Sequence, residues 1–181
     1  MRPVRVNRKA ADRIASGHPW IFATDVVDRA GAAPGDAVFV LDPRERPLGT
    51  FHYSSSSQIT LRQLSAKQES IDRKFFLKRL GAALSHRRKI VTETDSYRLV
   101  FGEADLLPAL VVDRYADTLV VQTLNQGMDR AKPEIVAALN ELLSPRTIVE
   151  RIAMIAITTK SSINVKPFFK FFFICKLILN K

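Results

Sequence analysis

Apolar and polar side chains alternate with period two in short stretches through the first 65 residues, which predicts strands rather than helices. Residues 3–6, 37–41, 48–53 and 59–64 read as strands in this way, and 20–27 does so through its aromatic and β-branched content. One helix interrupts them. Asn7 is placed to cap residues 8–15, with Ala10, Ala11 and Ile14 inward. Gly17 and Pro19 then stop it. Residues 42–47, Asp-Pro-Arg-Glu-Arg-Pro, form the turn of the clearest hairpin. Five short strands with one small helix predict a compact β-barrel-like module over 1–65.

The period changes after a short polar linker at 65–69. Ser70 is placed to cap a long helix, 71–91, in which Ile71, Phe75, Leu80 and Leu84 recur on one side with Phe76 and Leu77 beside them. Arg73, Lys74, Lys78, Arg79, Arg87, Arg88 and Lys89 occupy the other side. Strand-like runs follow at 97–101, 110–113 and 119–124, then a helix at 129–143 and a strand at 147–150. The fold class is therefore α+β: the small barrel, then an α/β central domain over 70–151. No internal repeat is visible.

Composition breaks at Arg151. Residues 152–181 contain no Arg, Gly, Asp or Glu and run through Ile, Phe, Lys, Asn and Thr. This is an atypical tail beside the Arg- and acid-rich body. The break also discounts the net charge of +10, because Arg151 and five Lys of the tail supply six of it and leave the body at +4. Overall charge is thus a weak sign of nucleic-acid binding, and local clustering has to carry that reading.

The single cysteine, Cys175, excludes an internal disulfide framework and a four-Cys zinc site, and it reads as an incidental thiol. A reducing, cytoplasmic setting is the natural expectation. The N-terminus lacks the apolar core of a secretory signal. The most apolar stretch, 168–179, is 12 residues long and carries Lys170 and Lys176, short of the ~20 residues a bilayer span needs. No membrane association and no metal is expected. The same stretch is an aggregation hazard if unpaired. Nothing in the pattern speaks to a homodimer.

The most distinctive segment is Ser16-Gly17-His18-Pro19-Trp20-Ile21-Phe22. One reading puts Trp20 and Phe22 in the barrel core and His18 in a turn. The other makes this an RNA-facing edge, on which Arg8, Lys9, Arg13, His18 and Arg62 meet phosphates and an aromatic stacks on an unpaired base. Lys74 and Lys78 extend that surface onto the long helix, unless its basic side is only a solvated face. Glu103, Asp105 and Asp113 could form a carboxylate cluster or could serve as caps and structural partners.

The same segment resembles the start of the PUA domain in bacterial class I large-subunit rRNA (cytosine-5)-methyltransferases. The run from Asp95-Ser96-Tyr97 through Gly102-Glu103-Ala104-Asp105-Leu106-Leu107-Pro108 to Asp113-Arg114-Tyr115 is similar to that family's central domain, and Ile148-Val149-Glu150-Arg151 to the strand leading onward. The resemblance covers about 1–151. It implies rRNA as partner and S-adenosylmethionine as the full-length family's cofactor. Ala109 departs from the family, which usually has Gly there. After Arg151 the Rossmann-like methyltransferase domain is missing. No Gly follows Gly127, no Gly-x-Gly occurs, and Asp-Pro-Pro is absent. No catalytic residue and no cofactor-binding residue is therefore assigned, and this chain is expected to bind no S-adenosylmethionine. The expected function is an RNA-binding portion of such an enzyme. The alternative is a stand-alone PUA-like interaction module, for which deletion of 152–181 should abolish function.

Overall fold

The computed structural model describes residues 3–151 and the backbone of 175–178. Two sheets, each with its own core, follow one another along the chain. The first contains β1 (Val4–Val6), β2 (Trp20–Phe22), β3 (Val26–Asp28), β4 (Ala37–Leu41), β5 (Pro47–Tyr53) and β6 (Ile59–Ser65), in spatial order β2-β6-β5-β4-β1-β3. Its two outermost strands, β2 and β3, are neighbours in sequence, joined by a single 3₁₀ turn at Ala23–Asp25. The sheet must therefore curl until its edges nearly meet, which leaves little edge exposed.

This corrects the expectation of one strand over 20–27: the chain changes sides of the sheet in the middle of that run. The pivot is Asp25, almost fully buried, which accepts hydrogen bonds from Arg13 Nη1 at 2.7 Å and Asn7 Nδ2 at 3.1 Å. Burial alone would raise the Asp25 carboxyl. The hydrogen bonds from Arg13 and Asn7 outweigh it and hold the group below its usual value. Asn7 also caps α1 (Arg8–Ala15) by accepting the Ala10 N–H, so one side chain starts the helix and fixes the strand switch. The barrel core gathers Val4, Val6, Ala10, Ile21, Val38, Val40, Phe51, Tyr53 and Leu61.

The second sheet has the order β11-β10-β9-β8-β7, with β7 (Ser96–Phe101), β8 (Leu110–Tyr115), β9 (Thr118–Thr123), β10 (Thr147–Arg151) and β11 (Cys175–Ile178). β7, β8 and β9 form an antiparallel meander. β10 runs parallel to β9, which requires the helical crossover between them. β11 pairs antiparallel with β10, setting the Cys175 backbone opposite Arg151. The expectations for the rest of the tail lie outside the described residues.

α2 (Arg73–Ile90) and α4 (Lys132–Leu143) supply Phe76, Leu80, Ile135 and Leu139 to the core of this sheet, against Leu99, Leu110, Val112, Leu119 and Val121. The α2 cap is Asp72 rather than Ser70. Asp72 is extended and accepts the Phe75 N–H at 3.0 Å, whereas Ser70 stands two residues too early to reach that donor. The helix expected over 129–143 is two helices. α3 (Gln126–Arg130) is capped by Asn125, and α4 starts afresh with a proline in its first turn, where a missing N–H costs nothing. Ala109 takes a left-handed conformation, φ 65°, in a buried turn. A β-carbon there costs ~1–2 kcal/mol relative to glycine, a cost this chain carries. Among the described residues no helix is long and apolar enough to cross a membrane.

Candidate nucleic-acid interface

The lip of the barrel is built by α1, the turn after it, β2 and β6. On β2 it is Ile21 that enters the core, and Trp20 and Phe22 flank it half-buried on the opposite face. The core reading of the two aromatics is thereby corrected. A strand alternates its sides, and the smaller β-branched residue took the inner one. Phe22 lies under the Arg13 guanidinium, 5.0 Å from its ring centre. Arg13, engaged by Asp25 as well, is thus a structural cation as much as a surface one.

Arg8 and Lys9 are exposed on α1, with Arg8 loosely facing Asp12 at 3.7 Å. His18 is exposed and meets Trp20 edge to face, ring centres 5.4 Å apart. Trp20 pairs across the strands with Arg62, whose guanidinium donates to the Ile59 carbonyl at 3.0 Å. Burial pushes the Arg62 pKa down and the nearby Glu103 charge opposes that shift. The barrel residues His18 and Arg62 therefore flank Trp20, while Arg13 is held at Phe22 and Asp25.

The tryptophan also joins the two halves of the molecule. Its indole N–H donates to Glu103 Oε1 at 2.9 Å, across 83 residues of sequence. Beside this bond a cleft of about 550 Å³ opens, with Pro19 and Leu64 on the barrel side and Arg79, Glu103, Leu106 and Pro108 on the other. Sequence reasoning had Glu103 and Arg79 in separate groups. Nothing in the spacing of either signals that they share a wall, because the contact is made by packing between the sheets.

The three acids do not cluster. Glu103 serves Trp20. Asp105 makes a two-pronged pair with Arg87, at 3.0 and 2.6 Å, and also accepts the Phe101 N–H. Asp113 pairs with Arg98 across the strands at 2.8 and 3.2 Å. No group of acids, His and Cys fit to hold a metal occurs among the described residues. On α2, Arg73 is bound to Glu141, Arg79 donates to the Leu64 carbonyl and Arg87 belongs to Asp105. Lys74 and Lys78, one turn apart, are exposed and make no ion pair among the described residues.

A second junction lies elsewhere along the seam. Gln126 Oε1 accepts from the Ser54 hydroxyl and the Ser55 N–H, and Arg130 pairs with Asp36. Gly127 presses on the His52 ring so closely that a Cβ there would fall 2.2 Å from His52 Cγ. This bears on whether the described residues could cradle S-adenosylmethionine, which needs glycine backbone open to a ligand. Gly35, Gly49 and Gly127 meet the protein's own backbone or side chains, whereas nothing lies within 4 Å of a Cβ built on Gly17 or Gly31.

Residues 4–66 match the PUA_3 family, described as a PUA-like domain. The barrel is a PUA-like domain. The chain is also homologous to ribosomal RNA large subunit methyltransferase I. It is 39% identical over 139 residues to that protein of Tolumonas auensis, which covers 74% of this chain and 35% of the relative. It is 37% identical over 138 residues to that of Alteromonas mediterranea, with the same coverage. The chain thus spans about a third of the length of these relatives. A solved structure of SMU.776, a candidate methyltransferase complexed with SAH, superposes with a TM-score of 0.74 over 84% of this chain and 40% of its own, at 20% identity. A candidate SAM-dependent methyltransferase from Streptococcus mutans gives 0.73 over 84% and 41%, also at 20% identity. These two likenesses speak to the fold.

Proposed function

We propose that this chain is the RNA-recognition portion of an rRNA (cytosine-5)-methyltransferase, one that binds rRNA and transfers no methyl group by itself. The observation that carries the reading is the 39% identity to a large-subunit rRNA methyltransferase across the PUA-like barrel and the sheet after it. The lip supports it: His18 and Arg62 flank half-buried Trp20, Arg8 and Lys9 are exposed on α1, and Lys74 and Lys78 are exposed on α2. Basic side chains of this kind hold phosphates, and an aromatic among them can stack a base. Arg13 contributes by holding the lip in shape through Asp25 and Phe22. Residues 1–181 contain no Gly-rich loop and no Asp-Pro-Pro to hold cofactor or target base.

Filter binding to a structured rRNA fragment across a salt series tests the first half. Affinity should fall as salt rises, and the doubly reversed variant Lys74→Glu, Lys78→Glu should flatten the log–log slope by about 1–2. Absence of binding at low salt would sink the reading. Calorimetric titration with S-adenosylmethionine tests the second half, and a measurable heat of specific binding would show that the chain holds the cofactor after all.

A further inference from the structure

The cleft between Pro19 and Leu106 offers more than phosphate contacts. Pro19, Leu64, Leu106 and Pro108 give it an apolar wall, with Gln63 and Ser65 also lining it. Leu106 is 57% exposed although large and apolar, held out by a left-handed backbone at φ 56°. Two charged groups of opposite sign face this space. Glu103 is fixed by the Trp20 indole, which occupies one lone pair of Oε1 and leaves the remaining acceptor capacity of the carboxylate open. Arg79 gives one N–H to the Leu64 carbonyl and lies over the Phe75 ring, 5.4 Å from its centre, so its other donors remain for a ligand.

The volume, about 550 Å³, is ample for one nucleoside. Flat apolar walls with a few fixed polar groups are what an unstacked base requires. The polar pair chooses among bases. A carboxylate accepts two parallel N–H groups, and an arginine fork donates to two acceptors. Guanine alone of the four RNA bases presents an N1–H and N2–H₂ donor pair on one edge and O6 and N7 acceptors on the other. Uracil has one ring donor, and cytosine and adenine place an acceptor next to their amino group, where it would face the Glu103 charge.

We propose that this cleft is a guanine-selective pocket for one unstacked RNA nucleotide, with Glu103 reading the Watson–Crick edge, Arg79 the O6/N7 edge and Leu106 closing the apolar wall. The proposal rests on the RNA-binding reading above and adds base selectivity to it.

Fluorescence anisotropy with labelled single-stranded hexamers, five uridines around one variable central base, provides the test on the full chain. The guanine hexamer should bind roughly tenfold tighter than those carrying adenine, cytosine or uracil. In Glu103→Gln the preference should shrink to about twofold or less, because the amide presents an acceptor and a donor where guanine needs two acceptors. Leu106→Gly, which keeps the left-handed backbone and removes the wall, should reduce it independently. Thermal melts establish that each variant is folded. Equal binding of all four hexamers would overturn the pocket and leave the RNA reading standing, as would a guanine preference that survives both substitutions. Failure of every hexamer and of structured rRNA to bind would overturn both.

Discussion

His52 should make the protein's stability fall as pH drops from 6.5 toward about 4. The ring is 3% exposed, pressed by Gly127, and its Nδ1 is buried without a hydrogen-bond partner. Burial pushes its pKa from the ordinary 6.5 down to about 4. The charged groups lining the small cavity beside it are Asp36 and Arg130, paired with each other, and Glu134. A group with a depressed basic pKa is neutral in the fold while the unfolded chain binds a proton. Between pH 6.5 and about 4 the unfolded state therefore holds more protons, and stability falls as pH falls. Above 6.5 the contribution is fully present. At 1.36 kcal/mol per unit, the whole span amounts to about 3 kcal/mol, approached near pH 4. Asp25 and Asp129 are held below the usual 3.8, so their contributions are lost only at more acid pH. Urea unfolding at fixed ionic strength from pH 8 to 4.5 measures the effect. His52→Phe should have a flatter profile between 6.5 and 4.5, whatever its absolute stability. Two results would refute the reasoning: wild-type stability that does not change across that interval, or a His52→Phe slope equal to the wild type.

Two further substitutions probe the junctions. Gly127→Ala puts a methyl 2.2 Å from His52 Cγ and 2.5 Å from Nδ1, so the seam must open; a loss of roughly 2–3 kcal/mol is expected in urea unfolding, with faster proteolytic cleavage in the 65–69 linker. Asp105→Asn leaves Arg87, 12% exposed, without its anionic partner and should cost about 3 kcal/mol, seen as a lowered Tm; the double variant with Arg87→Met should recover part of that loss.

The local signals in this sequence were legible wherever a single side chain decides a backbone outcome. Asn7 caps α1 as its position requires, and the hairpin turn at 42–47 is held by Asp42 accepting the Arg44 and Arg46 N–H groups. The apolar side of α2 was visible because Phe75, Phe76, Leu80 and Leu84 recur at helical spacing. The failures are of another kind. The split of 20–27 depends on Asp25 finding Arg13 and Asn7 in a helix that precedes it, which no periodicity within the run records. The side of β2 that faces inward is set by which face of the sheet the curl encloses, so Ile21 displaced the aromatics. At the candidate site the barrel cations were found by composition. The cleft was not, because Trp20 and Glu103 are separated by 83 residues and meet only when two sheets dock.

The ion pairs also decide how much of the charge can meet RNA. Arg5, Arg13, Arg46, Arg73, Arg87, Arg98, Arg130 and Lys132 each hold a carboxylate within the protein. Releasing any of them to a phosphate exchanges one partner for another and gains little. Lys9, Arg29, Arg44, Lys67, Lys74, Lys78, Arg88, Lys89 and Arg146 are exposed without a hydrogen-bonded carboxylate among the described residues, and Arg8 has only a loose one; of these, Arg8, Lys9, Lys74 and Lys78 belong to the candidate RNA surface. Four phosphate contacts from Arg8, Lys9, Lys74 and Lys78 give a salt slope of roughly 3–4, well short of the slope near 10 of a strongly electrostatic binder. A surface with so few free cations must draw its selectivity, and a share of its affinity, from contacts to bases. The cleft beside Trp20 is where the described surface combines apolar walls with fixed donors and acceptors. A measured slope near 10 would instead mean that the lip is not the principal contact and that cations elsewhere, such as Arg29, Arg44, Arg88, Lys89 and Arg146, take part.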